Sequence, residues 1–118
     1  MFSIIQANSK SHCDIISVLA SEIWKEHYTP IIGIDQVDYM LEKFQSSEVI
    51  YTQIQNGKSY YLIQTKDLFI GYFCVYPEDG SLFLSKLYIL LKFRGQGAGK
   101  FATDFIHEQG RELALTTI

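Results

Sequence analysis

A glycine-rich run near the end of the chain has the residue types and spacing most suited to chemistry: Arg94-Gly95-Gln96-Gly97-Ala98-Gly99-Lys100. It follows an apolar, strand-like stretch and opens an amphipathic, helix-like one. The first turn of a helix has unpaired backbone N–H groups, and glycines let these approach a phosphate without side-chain obstruction. Arg94 and Lys100 can add charge-assisted contacts. The run therefore predicts a site for a phosphate-bearing ligand.

Two other types of glycine loop fit this run less well. A P-loop needs four residues between its glycines and a hydroxyl after its lysine, but here Gly95 and Gly99 are one residue too close and Phe101 follows the lysine. The dinucleotide fingerprint matches at Gly97, Gly99 and Ala102. However, its acidic residue, expected about 20 positions later, would fall at or beyond the last residue, and no parallel βαβ unit surrounds the run. A glycine-rich turn without a ligand remains an alternative.

The elements that would position this run begin with one strand and three helices. Ser11, with Asp14 three residues on, predicts a capping box for the first helix, and Asp35 is expected to cap the second. The expected bounds are a strand from Phe2 to Ala7, a helix to about His27, a connection over Pro30 to Gly33, a second helix with Val37, Met40, Leu41 and Phe44 inward, a break at Ser46-Ser47, and a short helix from Glu48 to Gln55.

Three strands, the loop and a helix follow, and together they predict an α+β sandwich in one domain over residues 1–118. The strands form an antiparallel meander with tight turns. The expected bounds are Ser59 to Thr65, a turn at Lys66-Asp67, Leu68 to Tyr76, a turn at Pro77-Glu78-Asp79-Gly80, Ser81 to Leu90, the loop Lys92 to Gly99, a helix from Gly99 to Leu113 with Phe101, Ala102, Phe105, Ile106 and Leu113 inward, and the opening of a further strand at Leu115 to Ile118.

Composition narrows the classes of function. The formal net charge is −3 and no basic stripe is present, so nucleic acid is not an expected partner. The apolar run around Leu87 to Leu91 is too short to cross a bilayer, and no signal peptide is recognisable. We expect a cytoplasmic protein with Cys13 and Cys74 reduced. No His, Cys, Asp and Glu cluster has the spacing of metal ligands, so no metal is predicted.

With these elements around it, the glycine run resembles the GNAT acetyltransferase superfamily. The family pattern is Arg/Gln-x-x-Gly-x-Gly/Ala, and the residues from Arg94 to Gly99 fit it without gaps. The resemblance implies a GNAT-like fold with a mixed, mainly antiparallel sheet flanked by helices, and acetyl-CoA as co-substrate. It implies that the CoA pyrophosphate lies on Arg94, Gly95, Gln96, Gly97, Ala98, Gly99 and Lys100, and that the pantetheine arm pairs with Leu87, Tyr88 and Ile89.

The family domain normally continues with a fifth strand, a helix and two more strands, which this sequence lacks. The later helix often supplies a tyrosine that protonates the leaving thiolate, and no residue here can be assigned that role. A truncated product, completion of the sheet by a second chain, or loss of catalysis would each explain the difference. Because an open edge at the fourth strand is a liability, we expect an oligomer that covers it.

The reaction that the resemblance implies is acetyl transfer from acetyl-CoA to a primary amine of an unknown small-molecule or peptide acceptor. The amine must first lose a proton. Glu22 and Glu26 share a helix face and are candidates for the base, although a solvated acidic face is the more common explanation of such a pair. Weaker candidates are His27, which a helix dipole also explains, and Glu78, whereas the acceptor pocket would be shaped by Trp24, Tyr28 and Tyr39.

Two further functions stay open at this point. A catalytically silent acyl-CoA-binding or regulatory module would keep the loop without turnover, and the missing C-terminal elements favour it. A structural domain that merely retains the fold would bind no CoA.

Overall fold

One sheet carries three helices on one face and a fourth helix on the other. The computed structural model describes residues 1–78, 80–112 and 116–117 of the 118-residue chain. The elements are β1 (Phe2–Gln6), α1 (Lys10–Ile32), α2 (Ile34–Gln45), α3 (Ser47–Gln55), β2 (Ser59–Thr65), β3 (Leu68–Glu78), β4 (Ser81–Ile89), a 3-10 turn (Leu91–Phe93), α4 (Ala98–Glu112) and β5 (Thr116–Thr117).

The strands lie side by side in chain order, β1 to β5. The first four are antiparallel, as the meander predicted. β5 is parallel to β4 and pairs with it only at the start of that strand, where Ser81 faces Thr116 and Leu82 faces Thr117. From Phe83 to Ile89, the outer edge of β4 has no strand partner among the described residues. The sheet is therefore mixed but mainly antiparallel.

The start of α1 corrects the expected cap. Ser9, not Ser11, is the N-cap, and its side chain accepts a hydrogen bond from the His12 N–H at 3.3 Å. The Asn8 N–H in turn donates to His12 Nδ1 at 3.2 Å. This is a reciprocal capping arrangement with histidine in the place of the usual Glu or Gln. Asp14, expected to complete the box, instead accepts a hydrogen bond from Ser47 Oγ and ties α1 to α3.

The end of α1 corrects the predicted connection at Pro30 to Gly33. The helix continues through Pro30 to Ile32 and ends at Gly33, whose φ is 86°. Proline removes one helical N–H donor, but the Gly33 N–H still reaches the Thr29 carbonyl at 2.9 Å. Glycine at a positive φ ends a helix without steric cost. Gly33, rather than Pro30, therefore ends the helix.

Two further expectations for the helices were wrong. Asp35 lies in the first turn of α2, and Gly33 occupies the N-cap without a side-chain hydrogen bond. Phe44 is 45% exposed instead of buried. The buried residue at this end of α2 is its neighbour Gln45, which is 1% exposed. The short helix α3 is confirmed, and the Ser46 side chain caps it by accepting from the Val49 N–H at 3.3 Å.

The hairpins follow the prediction with one correction. β2 has the predicted bounds, and Lys66 turns with a φ of 49°. β3 is longer than expected because Pro77 and Glu78 pair with Leu82 and Ser81 instead of turning. The predicted turn therefore shrinks to the two residues between Glu78 and Ser81, of which Asp79 lies outside the described residues.

Helix α4 covers the other face of the sheet. Ala102 and Ile106 are buried as predicted and Phe105 is partly buried, whereas Phe101 is 39% exposed and its ring lies 5.8 Å from that of Phe2. The predicted inward residue Leu113 lies outside the described residues. Of the predicted final strand, Thr116–Thr117 is a strand, and Leu115 and Ile118 lie outside the described residues.

The two faces of the sheet bury two separate cores, which confirms the α+β sandwich. Tyr60, Leu62, Tyr72 and Cys74 pack beneath α1 to α3. Tyr61, Ile63 and Phe73 pack against α4. A fully buried Phe or Leu side chain contributes roughly 1.5–3 kcal/mol. Within the described residues, no helix combines the length and apolar character needed to cross a lipid bilayer.

Candidate functional site

The outer edge of β4 presents backbone groups that no strand among the described residues pairs with. The Leu90 N–H donates to the Ile70 carbonyl at 2.8 Å, so Leu90 faces β3. In an antiparallel pair, alternate residues direct both backbone groups to the same side. The N–H and C=O of Ile89 and Leu87 therefore point away from β3, toward the open edge. Those of Tyr88 pair with Tyr72.

A bulge in β4 lies between Leu82, which pairs with β5, and Leu87, whose backbone groups point to the open edge. Lys86 lies opposite Cys74 and Leu84 lies opposite Val75, so Ser85 is the extra residue. A bulge bends its strand and increases the local twist. Leu82 and Leu84 face α4 before the bulge and Leu87 and Ile89 face it afterwards. The bulge therefore falls two residues before Leu87, whose N–H points to the open edge.

The glycine run leads directly from this edge into α4. Gly95 has a φ of 81° and Gly97 a φ of 94°, a region that other residues rarely occupy. The Phe101 N–H donates to the Gly97 carbonyl at 3.0 Å. It is the first N–H of α4 bonded within the helix, so those of Ala98, Gly99 and Lys100 are the free donors of its first turn. These donors give the N-terminus of α4 the chemistry of an anion site.

The charged residues of the run have partners of their own. Arg94 Nε donates to the Ile89 carbonyl at 3.0 Å, so this side chain ties the loop to the end of β4. Its remaining guanidinium donors stay available, because the side chain is exposed. Lys100 Nζ forms an exposed ion pair with Asp104 at 2.9 Å. The hydrogen bond to Asp104 raises the pKa of Lys100. Gln96 is exposed.

The carboxylates predicted as bases lie beside the loop. Glu22 and Glu26 line a cleft of about 280 Å³ whose other wall is Leu90, Leu91 and Lys92. His27 lines a smaller cleft next to Arg94. Glu78 lies at the opposite end of the sheet, facing Ser81. The structure therefore places Glu22 and Glu26 in one cleft beside the loop. Glu78 lies away from them. The catalytic role of these residues stays a prediction.

An aromatic cluster, which the sequence indicated only in part, lies between α1 and β4. The Trp24 ring lies 5.8 Å from that of Tyr28 and 6.0 Å from that of Tyr88, and the Tyr88 ring lies 5.6 Å from that of Tyr72. Burial raises the pKa of Tyr88. Tyr39, the third aromatic residue predicted for the acceptor pocket, is 59% exposed on α2 and stays apart from them. Sequence reasoning missed Tyr72, and it placed Tyr88 with the pantetheine arm and not in this cluster; strand pairing brings the two together.

An antiparallel meander whose fourth strand has an open edge and runs through a glycine loop into a helix defines the GNAT acetyltransferase fold. No protein-family model matches the chain, and no curated protein matches it in sequence. Solved structures do match it. PaiA N-acetyltransferase from Thermoplasma acidophilum, solved in complex with coenzyme A, superposes with a TM-score of 0.82 at 16% identity, over 96% of this chain and 75% of that one.

Two further solved structures have the same fold. A GCN5-related N-acetyltransferase from Ralstonia eutropha has a TM-score of 0.72 at 8% identity, over 100% of this chain and 82% of that one. AAC(6')-Iy, in complex with the bisubstrate analogue CoA-S-monomethyl-acetylneamine, has a TM-score of 0.62 at 17% identity, over 99% of this chain and 76% of that one. The chain therefore has the GNAT fold.

Proposed function

We propose that this protein is an N-acetyltransferase that transfers an acetyl group from acetyl-CoA to a primary amine. The observation that carries the proposal is the continuity of three features along one segment: the open edge of β4, the glycine run and the first turn of α4. Two of the similar structures contain coenzyme A or a CoA-based bisubstrate analogue. The donors present here suit the same ligand, since they are backbone N–H groups and basic side chains.

Each part of the segment has a role in this proposal. The free N–H groups of Ala98, Gly99 and Lys100 bind the pyrophosphate, with Arg94 beside them. The N–H groups of Leu87 and Ile89 and the Leu87 carbonyl pair with the amide groups of the pantetheine arm as an added strand would, while the Ile89 carbonyl stays bonded to Arg94. One N–H of this edge polarises the thioester carbonyl. Its hydrogen bond stabilises the transition state more than the bound substrate, because negative charge develops on the carbonyl oxygen there. The neutral amine then attacks the carbonyl carbon, the C–S bond breaks, and the proton lost from the amine nitrogen ends on the departing CoA thiolate, so that the products are the N-acetyl amine and free CoA.

A pair of alanine substitutions tests the loop by calorimetric titration with acetyl-CoA. At Gly97, with a φ of 94°, alanine strains the backbone beside the pyrophosphate. At Gly99 the φ is ordinary and an added Cβ makes a normal contact with Ile89 at 3.8 Å. Gly97→Ala should weaken binding by roughly tenfold or more, which is about 1.4 kcal/mol. Gly99→Ala should bind as the wild type does and gain up to about 1 kcal/mol of stability from helix propensity.

Equal affinities for the two variants would contradict the loop assignment. The reaction itself is tested by following CoA release with a panel of primary amines. Turnover that Gly97→Ala reduces and Gly99→Ala does not would support the enzyme. Binding of acetyl-CoA with no turnover on any amine would instead identify a silent acyl-CoA-binding module.

A further inference from the structure

Lys86 directly precedes Leu87 in β4, and none of the ion pairs among the described residues includes it. Lys86 is half-buried, and its side chain lies on the face of the sheet that carries α1 to α3, opposite Cys74. Its Nζ donates to the Tyr60 hydroxyl at 3.1 Å and lies 5.6 Å from the centre of that ring. Tyr60 in turn donates to Gln53 Oε1 of α3 at 2.6 Å. The ammonium group is thus held in place by a neutral network.

The second charge near Lys86 is of the same sign. Lys58 is half-buried, with its Nζ 4.6 Å from the centre of the Tyr76 ring. Burial lowers the pKa of Lys86; the Cys74 thiol opposes this shift and the positive charge of Lys58 adds to it. The ion pairs among the described residues involve other side chains, namely Lys25 with Asp38, Lys100 with Asp104 and Arg111 with Glu108.

Lys86 is partly desolvated, and neither lysine has an ion-pair partner among the described residues, so an anion within reach of both ammonium groups would be bound favourably. A purely structural role would be filled better by an apolar side chain, because this carries no desolvation cost. The surroundings also suit a ligand with an apolar part. Phe83 is 41% exposed, and its ring lies 5.1 Å from that of Tyr76. The patch formed by Lys58, Tyr76, Phe83 and Lys86 therefore combines positive charge with exposed aromatic surface.

We infer that Lys86 and Lys58 bind the carboxylate of the amine acceptor, so that the acceptors are amines of the amino-acid type. The inference rests on the proposed acetyltransferase function. Lys86 immediately precedes Leu87, whose free N–H belongs to the edge proposed to hold the thioester. A carboxylate on Lys86 would therefore place an amine on the same molecule within reach of the acyl carbon. Tyr76 and Phe83 would contact the side chain of the acceptor.

The first test measures carboxylate binding without requiring turnover. The full chain is labelled with ¹³C at the lysine Cε atoms and titrated with phenylacetate, and in parallel with its neutral amide, phenylacetamide. Ionic strength is held constant so that general screening is the same in both titrations. Phenylacetate should shift the signals of Lys86 and Lys58 with a saturating curve in the millimolar range, as expected for a small fragment. Phenylacetamide should shift neither.

Three variants make this test specific. Lys86→Met should abolish the saturating response of Lys58, and Lys86→Arg should keep it because the positive charge remains. Lys43→Met is the matched control, since Lys43 also lies over aromatic rings, at 5.8 Å from Tyr39 and 5.5 Å from Phe44, but is exposed on α2. The inference is overturned if phenylacetate gives no saturating shift, if phenylacetamide acts equally, or if Lys43→Met has the effect expected of Lys86→Met.

The second test asks whether the site selects acceptors. CoA release is compared for phenylalanine and 2-phenylethylamine, which differ by the carboxylate alone. The ratio of their kcat/KM values should fall roughly tenfold in Lys86→Met, as for loss of a charge-assisted contact, and recover in Lys86→Arg. An unchanged ratio would overturn the inference. The two failures can be told apart because the phenylacetate titration does not depend on CoA: failure of acetyl-CoA to bind would contradict the proposed function and with it the acceptor role, whereas absence of a phenylacetate response would contradict the carboxylate site itself.

Discussion

At the scale of single residues, the buried tyrosines make stability depend on alkaline pH. Burial raises the pKa of Tyr60 and Tyr72 above the ordinary value of 10.0. Above that pH the unfolded chain loses these protons while the folded chain keeps them. The unfolded state then binds fewer protons, so the free energy of unfolding falls as the pH rises. Below pH 10 both states hold the protons and these tyrosines have no effect on the pH dependence.

Tyr72→Phe should change both the level and the slope of this dependence. At neutral pH the variant should lose about 1–3 kcal/mol, because the buried Gln45 side chain loses the hydroxyl that donates to it. Above pH 10 its stability should fall less steeply than that of the wild type. Urea unfolding at a series of pH values measures both effects. Tyr51→Phe, on the exposed side of α3, is the control, and an equal response of the two variants would contradict this account.

At the scale of the elements, the cap of α1 can be tested directly. Ser9→Ala removes the acceptor for the His12 N–H and should destabilise the protein by about 1 kcal/mol. Ser11→Ala, inside the exposed first turn, should be within a few tenths of a kcal/mol of the wild type, since alanine is a good helix former. Thermal unfolding of the pair decides between the two caps. A larger loss for Ser11→Ala would restore the cap predicted from sequence.

The elements also show where sequence reasoning succeeded. The bounds of β2 follow from a short apolar run, Tyr60 to Ile63, between Gly57 and the turn at Lys66. The glycine run is recognisable because its backbone conformation needs those glycines. The predicted end of the first helix, near His27, is too early because Pro30 lies within the helix and Gly33 ends it. Its cap was missed because His12 stands where a Glu or Gln was expected. Local rules compete at such positions, and the packed structure selects between them.

The rest of the site depends on pairing between distant strands, which local patterns do not encode. The bulge at Ser85 exists only relative to the register with β3. The same register brings Lys86 opposite Cys74 and beside Tyr60. The neutral surroundings of Lys86 therefore appear only once β2, β3 and β4 are side by side.

At the scale of the whole molecule, the open edge of β4 still predicts an oligomer for the protein without bound CoA. An exposed edge with free N–H and C=O groups is a template for association. At tens of micromolar, light scattering should give a mass above the 13.6 kDa of one chain. Phe83→Lys, which adds charge beside the edge, should lower that mass. Phe44→Lys is the matched control, because Phe44 is similarly exposed but lies on α2. A monomer mass for the wild type would contradict this prediction.

The positive φ angles of Gly95 and Gly97 give the loop a backbone conformation that L-amino acids with a side chain rarely adopt. A D-alanine favours the φ region in which these glycines lie, because it is the mirror image of the L residue. An added methyl group of D configuration at position 97 would therefore leave the backbone relaxed and project in a different direction from that of L-alanine. Chemical synthesis of the two chains, which differ only in the configuration of alanine at position 97, would separate the two properties that glycine supplies here: freedom of the backbone and an unobstructed surface.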